Sequence, residues 1–159
     1  MTDSPVRKSR VKRAAPPVVA STSKHPPRAL PPRTKSQQAA IDKAYSTVRK
    51  LCAAVPGCYE KAAWAAPTFR IEKGKMFLMF ADNHHDDGRA AIWCMSTPDA
   101  REAWLAMAPE RFFIPPYVGA SGWIGATLEG DVPWDVLEEV ILEAARLGRP
   151  VAGRARGRR

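Results

Sequence analysis

Regularly spaced apolar side chains occur only in the middle of this chain, between residues 36 and 148. The segment before them, residues 1–35, is rich in proline and basic residues and contains no Phe, Trp or Tyr. The segment after them, residues 149–159, alternates arginine with small residues. Neither flank can bury enough apolar surface to offset the entropy lost on ordering. We therefore expect one folded domain between two disordered tails.

Positive charge is unevenly distributed along the chain. The formal net charge is +9. Residues 1–40 hold nine Lys or Arg and one acid, and residues 149–159 hold five Arg and no acid. Residues 41–148 hold eleven basic and fifteen acidic residues. The basic excess thus belongs to the flanks, and the predicted domain is mildly acidic.

The first half of the domain predicts one helix followed by three strands. The helix ends at Pro56-Gly57. Its apolar stripe consists of Ile41, Ala44, Tyr45, Val48, Cys52 and Val55. Alternation over residues 68–72, a turn at Lys73-Gly74 and an apolar run over residues 75–81 predict a β-hairpin. Residues 82–88 are predicted to form a loop, and residues 89–95 a third strand.

The second half predicts a helix, two short strands and a closing helix. Thr97-Pro98 is a strong helix start, and that helix should end before Pro109. Short strands are predicted at residues 112–114 and 123–128. Asp131 and Pro133 then open the last helix, whose apolar stripe consists of Leu137, Val140, Ile141 and Ala144. The order α-β-β-β-α-β-β-α has hairpin-length connections, which favours a compact α+β domain with a mainly antiparallel sheet packed by helices.

Several functional classes lack their sequence signatures. The chain has neither a run of about 18 apolar residues nor the apolar core of a secretory signal, so we expect a cytoplasmic protein with no membrane partner. Its three cysteines, Cys52, Cys58 and Cys94, do not have the spacing of zinc ligands. Phosphate-binding glycine loops, a nucleophile elbow and HExxH are absent, so we expect neither enzymatic activity nor a cofactor.

One polar segment, residues 83–87, contains candidate metal ligands. Its sequence is Asn-His-His-Asp-Asp, and imidazoles and carboxylates both bind metal ions. Adjacent histidines in a loop between strands rarely point at one ion, and no second ligand cluster exists. A polar loop ended by Gly88 is the better interpretation, and we predict no metal site.

An ordered set of short motifs resembles the MmcQ/YjbR family over roughly residues 41–148. These motifs are Phe69-Arg70-Ile71, Gly74-Lys75-Met76-Phe77, Ser96-Thr97-Pro98, Phe112-Phe113, Pro115-Pro116-Tyr117-Val118 and Gly122-Trp123, before a closing amphipathic helix. The resemblance implies a CyaY-like fold whose strand hairpins are described as double wings and proposed to contact DNA. Where the family often has lysine, this chain has Met95 and Ala120.

DNA or another nucleic acid is therefore the expected partner. Arg70, Lys73 and Lys75 surround the predicted hairpin and would contact phosphates, while Tyr117 and Trp123 would stack on bases. The flanks add basic residues that gather phosphates without reading sequence. Those predicted to bind are Arg7, Lys8, Arg10, Lys12, Arg13, Arg154, Arg156, Arg158 and Arg159.

An alternative function needs no nucleic acid. Tyr117 and Trp123 flank the small residues Gly119-Ala120-Ser121-Gly122, which would leave room for a ligand or for the backbone of a partner. A protein-interaction or small-ligand-binding module is therefore also compatible with the sequence.

Overall fold

The computed structural model describes residues 31–152, apart from the side chain of His85. This part of the chain contains three α-helices, six strands and two 3₁₀ turns, at residues 84–86 and 118–121. The helices and strands, in chain order, are α1 (Lys35–Ala53), β1 (Cys58–Ala63), β2 (Ala66–Ile71), β3 (Met76–Asp82), β4 (Ala90–Cys94), α2 (Pro98–Met107), β5 (Phe112–Phe113), β6 (Ile124–Thr127) and α3 (Trp134–Gly148).

The six strands form one sheet in the order β1-β2-β3-β4-β6-β5. Every neighbouring pair is antiparallel. The predicted α+β class with an antiparallel sheet is thereby confirmed. The structure adds one strand that the sequence analysis did not predict, β1, which lies at the edge of the sheet and is exposed at most positions.

Helices α1 and α3 pack on one face of the sheet, which we call the helix face. The N-cap of α1 is Thr34, whose hydroxyl accepts from the backbone N–H of Gln37 while the Gln37 side chain accepts from Thr34 N–H. The predicted stripe of α3 is buried in the main core, and so is that of α1 apart from Tyr45, which is half-buried. Val55, the last residue of the predicted α1 stripe, is buried but follows the end of the helix at Ala53. Both helices therefore form as their apolar periodicity predicts.

The opposite face of the sheet, which we call the open face, carries a second apolar cluster. Its buried members, none of which belongs to a helix, are Ala66, Met79, Ala81, Ala91, Trp93 and Trp123. On neighbouring strands Met79 pairs with Trp93, and Ala81 pairs with Ala91. Because both faces of β3 and β4 are buried, residues 76–81 and 90–94 are continuously apolar and do not alternate.

The exposed strand β1 is tied to α1 by a polar network. Arg49 donates from Nε to Glu60 Oε2 at 2.9 Å, and Tyr45 donates from its hydroxyl to Glu60 Oε1 at 2.6 Å. The guanidinium of Arg49, as hydrogen-bond donor, lowers the pKa of the Glu60 carboxyl. Burial, followed by the hydrogen bond to Glu60, raises the pKa of Tyr45. This network fixes β1, the edge strand that leads into the turn between β1 and β2.

The three cysteines are free thiols within or beside the main core. Cys52 and Cys94 are buried, and Cys58 is half-buried. Burial raises the pKa of all three thiols, that of Cys94 to about 12. They are therefore protonated at neutral pH and pack as small apolar groups.

No helix between residues 31 and 152 has both the length and the apolar character that crossing a bilayer would require.

Candidate functional site

The open face contains a concave pocket of about 410 Å³, which lies in the size range typical of ligand sites. Strands β3 and β4 supply its floor, and three loops supply its walls. Its lining is mainly aromatic and thioether, formed by Trp64, Met76, Met79, His84, Trp93, Tyr117, Val118 and Trp123. We call this the open-face pocket.

Trp64 reaches the pocket from a two-residue turn between β1 and β2. Ala63 pairs with Ala66, so Trp64 and Ala65 are the two central residues. Both have positive φ, 51° and 60°, as a type I′ turn requires. Glycine or asparagine normally fills such positions, because a larger side chain is strained there. Trp64 is nevertheless 67% exposed.

Tyr117 reaches the pocket from a second strained turn. Its φ is 63° and its ψ is −59°, and Val118 N–H donates across it to Pro116 O at 2.7 Å. This is the γ-turn with positive φ, which is rare and costly. Tyr117 is 79% exposed. Two large aromatic side chains on the pocket wall are therefore exposed and held by strained backbone.

The loop that carries Tyr117 is fixed from behind. Arg101 of α2 donates from Nη1 to Gly119 O at 2.7 Å. A Cβ on Gly119 would lie 2.5 Å from Cγ2 of Ile114, so only glycine fits at this position without a shift. These contacts hold the loop against the domain and keep Tyr117 at the pocket wall.

At the base of the pocket, Trp93 has a buried hydrogen-bond donor without an acceptor. Its Nε1 makes no hydrogen bond within the described part of the chain. The ring of His84 stands nearly perpendicular to the indole, with 5.2 Å between ring centroids. Buried donors are nearly always paired, so this N–H needs an explanation.

On the open face of the sheet, the strand residues include basic side chains and no acidic ones. The register of β1 and β2 places Lys61 and Arg70 on the same face as the second cluster. Glu60 and Asp82 are the acidic residues in the described strands, and both lie on the helix face, where they pair with Arg49 and Arg33. The strand surface beside the pocket is therefore basic, whereas the loop that carries the lining residue His84 also contains Asp86 and Asp87.

Comparisons with known proteins assign a family to this fold. Residues 53–147 match the YjbR family. The chain belongs to the YjbR family. The crystal structure of the Deinococcus radiodurans protein DR2400, a DUF419 domain, is similar with a TM-score of 0.52 at 17% identity, over 72% of this chain and 95% of that chain. At this identity the likeness concerns the fold alone. A search of curated proteins found no match.

In this YjbR domain the β2–β3 hairpin does not extend freely as a wing. Its tip is docked on the end of α3, where Lys75 N–H donates to Gly148 O at 2.8 Å. The side chains of Lys73 and Lys75 are nevertheless exposed. Their contact with phosphates remains a prediction, although the hairpin that carries them is anchored.

The YjbR domain brings some of the predicted site residues together and leaves others apart. Tyr117 and Trp123 line the same pocket. Arg70 lies beside it, with its Nη2 3.9 Å from Sδ of the lining residue Met76. Lys73 and Lys75 are not part of the lining.

The predicted basic residues of the flanks, together with the predicted disorder of residues 1–30 and 153–159, lie outside the described residues. Residues 31–35 belong to the predicted first tail, and α1 begins at the last of them, Lys35.

Sequence reasoning missed two tryptophans of the YjbR pocket, Trp64 and Trp93. Trp64 lies in a turn without glycine or asparagine, so no turn signal marked it. Trp93 lies in a strand that is buried at every position, where alternation cannot identify a face. From the sequence, His84 is a candidate only as a metal ligand. Within residues 31–152, no group of three or more His, Cys, Asp or Glu side chains is arranged to hold a metal ion.

Proposed function

We propose that this YjbR protein is a non-enzymatic, nucleic-acid-binding protein of the cytoplasm, whose basic flanks supply most of the affinity. The distribution of charge carries the proposal. The chain has a net charge of +9, although residues 41–148 hold more acidic than basic residues. An excess of arginine and lysine confined to flanks is typical of arms that bind nucleic acid.

The physical basis of this affinity is counterion release. Each lysine or arginine that neutralises a phosphate releases condensed cations, which makes binding strong at low salt and weak at high salt. Residues 1–30 hold seven basic residues and residues 153–159 hold four. Such contacts need no fixed geometry, and they do not distinguish one DNA sequence from another.

The folded domain adds a smaller contribution from a basic edge formed by Lys61, Arg70, Lys73 and Lys75. Lys61 and Arg70 lie on the open face, and Lys73 and Lys75 extend from the anchored hairpin. Aromatic side chains next to cations form the kind of surface on which unpaired bases stack. Tyr117 and Trp123 would contribute this stacking.

The role of the basic edge is tested by reversing two of its charges in the full chain. The variant Lys73→Glu/Lys75→Glu is expected to weaken binding to single-stranded and duplex DNA by about tenfold at low salt, and to reduce the salt slope by about two. Fluorescence anisotropy with labelled oligonucleotides measures both quantities. The same change in net charge at exposed positions of α1, Lys43→Glu/Lys50→Glu, serves as the matched control.

Equal losses of affinity in the two variants would show that only net charge matters, and the basic edge would then have no specific role. A loss confined to the hairpin variant supports direct contact between this edge and phosphates.

The open-face pocket favours a second candidate function, a small-ligand or protein-interaction module with no nucleic-acid role. The pocket has a mostly apolar lining with few polar groups, which is typical of sites for small molecules. If the full chain binds no nucleic acid even at low salt, this candidate becomes the better account.

A further inference from the structure

We propose that the open-face pocket binds a purine-sized nitrogen heterocycle, inserted as a flat ring that presents a hydrogen-bond acceptor at its edge. The proposal does not require the chain to bind nucleic acid, because a free nucleotide and an unpaired base in a strand offer the same ring. Three properties of the pocket carry it, namely its shape and lining, its buried donor and its charge.

The lining matches a flat aromatic ligand. Trp64 and Tyr117 stand on the walls as exposed rings, while Met79 and Trp123 form apolar surface within. Aromatic rings attract one another in offset or edge-to-face arrangements, and thioethers pack well against ring edges. A volume of about 410 Å³ accommodates a bicyclic ring with an attached sugar.

The exposure of the two wall side chains has a consequence for binding. Glycine or asparagine would relieve the strain of the type I′ turn at Trp64, and glycine would relieve that of the γ-turn at Tyr117, yet both positions carry a large exposed aromatic. Residues kept in strained backbone cluster at ligand sites, where the strain holds them ready for binding. Trp64 and Tyr117 are thus pre-organised as the two sides of a clamp.

The unpaired donor of Trp93 specifies the polar character of the ligand. Its Nε1–H is buried and has no acceptor within residues 31–152. A ring nitrogen or a carbonyl oxygen on the heterocycle would supply that acceptor. Since the donor lies beneath the pocket surface, the acceptor reaches it only after a neighbouring side chain has moved.

The charge beside the pocket permits a phosphate on the ligand. Lys61 and Arg70 lie on the open face, and no strand residue of this face within the described chain is Asp or Glu. A nucleotide can therefore place its phosphate toward these cations while its base occupies the pocket.

The side-chain N–H signals of the tryptophans provide a test with an internal control. Trp64, Trp93 and Trp123 line the pocket, whereas Trp104 and Trp134 pack against the main core. In ¹H–¹⁵N spectra of the full chain, AMP or GMP is expected to shift the indole signals of the first three and to leave the other two in place. No shift with either nucleotide or with a single-stranded purine oligonucleotide, or equal shifts of all five signals, would overturn the proposal.

The oligonucleotide distinguishes the two sources of the ring. Shifts caused by AMP or GMP identify a free nucleotide as sufficient, while shifts caused only by the strand identify an unpaired base held in a nucleic acid. Lys73 and Lys75 do not line the pocket, so reversing their charges is expected to leave the AMP-induced shifts unchanged. Nucleotide binding in the pocket can therefore be confirmed even if the proposed binding of nucleic acid fails.

A substitution at Trp64 tests the clamp without endangering the fold. Trp64→Asn places a residue favoured in type I′ turns at this position, so the hairpin is expected to persist. Loss of one stacking ring is expected to weaken nucleotide binding at least about tenfold. Leu142→Ala, which removes an exposed apolar side chain from α3, is the control and should leave affinity unchanged. Equal affinity of Trp64→Asn and the unaltered chain would overturn the clamp.

Discussion

Replacement of Gly74 by alanine is expected to lower the free energy of unfolding by about 3 kcal/mol, a typical upper value for added volume at a closely packed site. A Cβ at this position would lie 2.3 Å from the carbonyl oxygen of Gly148 and 3.0 Å from Cβ of Ile71. Neither atom is the end of a flexible side chain. The added methyl must therefore separate the hairpin tip from the end of α3 or displace β2.

This loss is measured by urea denaturation of the full chain. Lys75→Ala, in the same turn, is the control, because it removes an exposed side chain and keeps the backbone contact to Gly148. That variant is expected to change stability by no more than about 0.5 kcal/mol. If Gly74→Ala were as stable as the control, the hairpin tip would not be docked on α3 and would be free to act as a wing.

Removal of nine positive charges from the flanks is expected to weaken DNA binding by about 100-fold or more at low salt, because several phosphate contacts are lost together. The substitutions replace arginine or lysine by glutamine in the full-length chain. The positions are Arg7, Lys8, Arg10, Lys12, Arg13, Arg154, Arg156, Arg158 and Arg159. The nine positions lie outside residues 31–152, so we expect the stability of the described domain to stay unchanged.

Two controls separate charge from other effects of these substitutions. Lys8→Arg/Lys12→Arg conserves the charge and should bind as the unaltered chain does. The thermal melting temperature of the nine-fold variant should match that of the parent, which would place the loss in binding and not in folding. Retention of full affinity after neutralisation would assign nucleic-acid binding to the folded domain.

The helices could be predicted from the sequence because local chemistry and packing agree there. The helix start at Thr97-Pro98 is realised with the Thr97 hydroxyl accepting from Ala100 N–H. The stripe that begins at Leu137 is buried along α3. Apolar spacing of 3.6 residues and a capping side chain are short-range signals, and nothing in the tertiary structure opposes them.

Strand β1 and the pocket could not be predicted from the same kind of signal. β1 contains Glu60 and Lys61 and is mostly exposed, so it lacks the apolar alternation that marks a half-buried strand. The pocket brings together Trp64 and Tyr117, which are far apart in the chain. Neither turn has glycine or asparagine at the strained position, so neither is marked by the usual turn residues. Their proximity depends on strand order and register, which arise only when the sheet assembles.

The sequence resemblance to the MmcQ/YjbR family led to the correct fold, and the hairpin contact with DNA that it implies stays a prediction. In the structure the hairpin is a packed element of the domain, anchored through Gly74 and Gly148. The open face, with its aromatic pocket and adjacent cations, is the better candidate for ligand contact by the folded part. On the function proposed above, the flanks would supply affinity that depends on charge alone.

The salt dependence of DNA binding by the full chain tests the central claim most directly. Anisotropy titrations between about 50 and 200 mM salt give the slope of log K against log salt, which is about −0.9 for each phosphate neutralised. With eleven basic residues outside residues 31–152, we predict a slope of about −4 or steeper. Absence of binding at the lowest salt, or a slope near zero, would contradict the account.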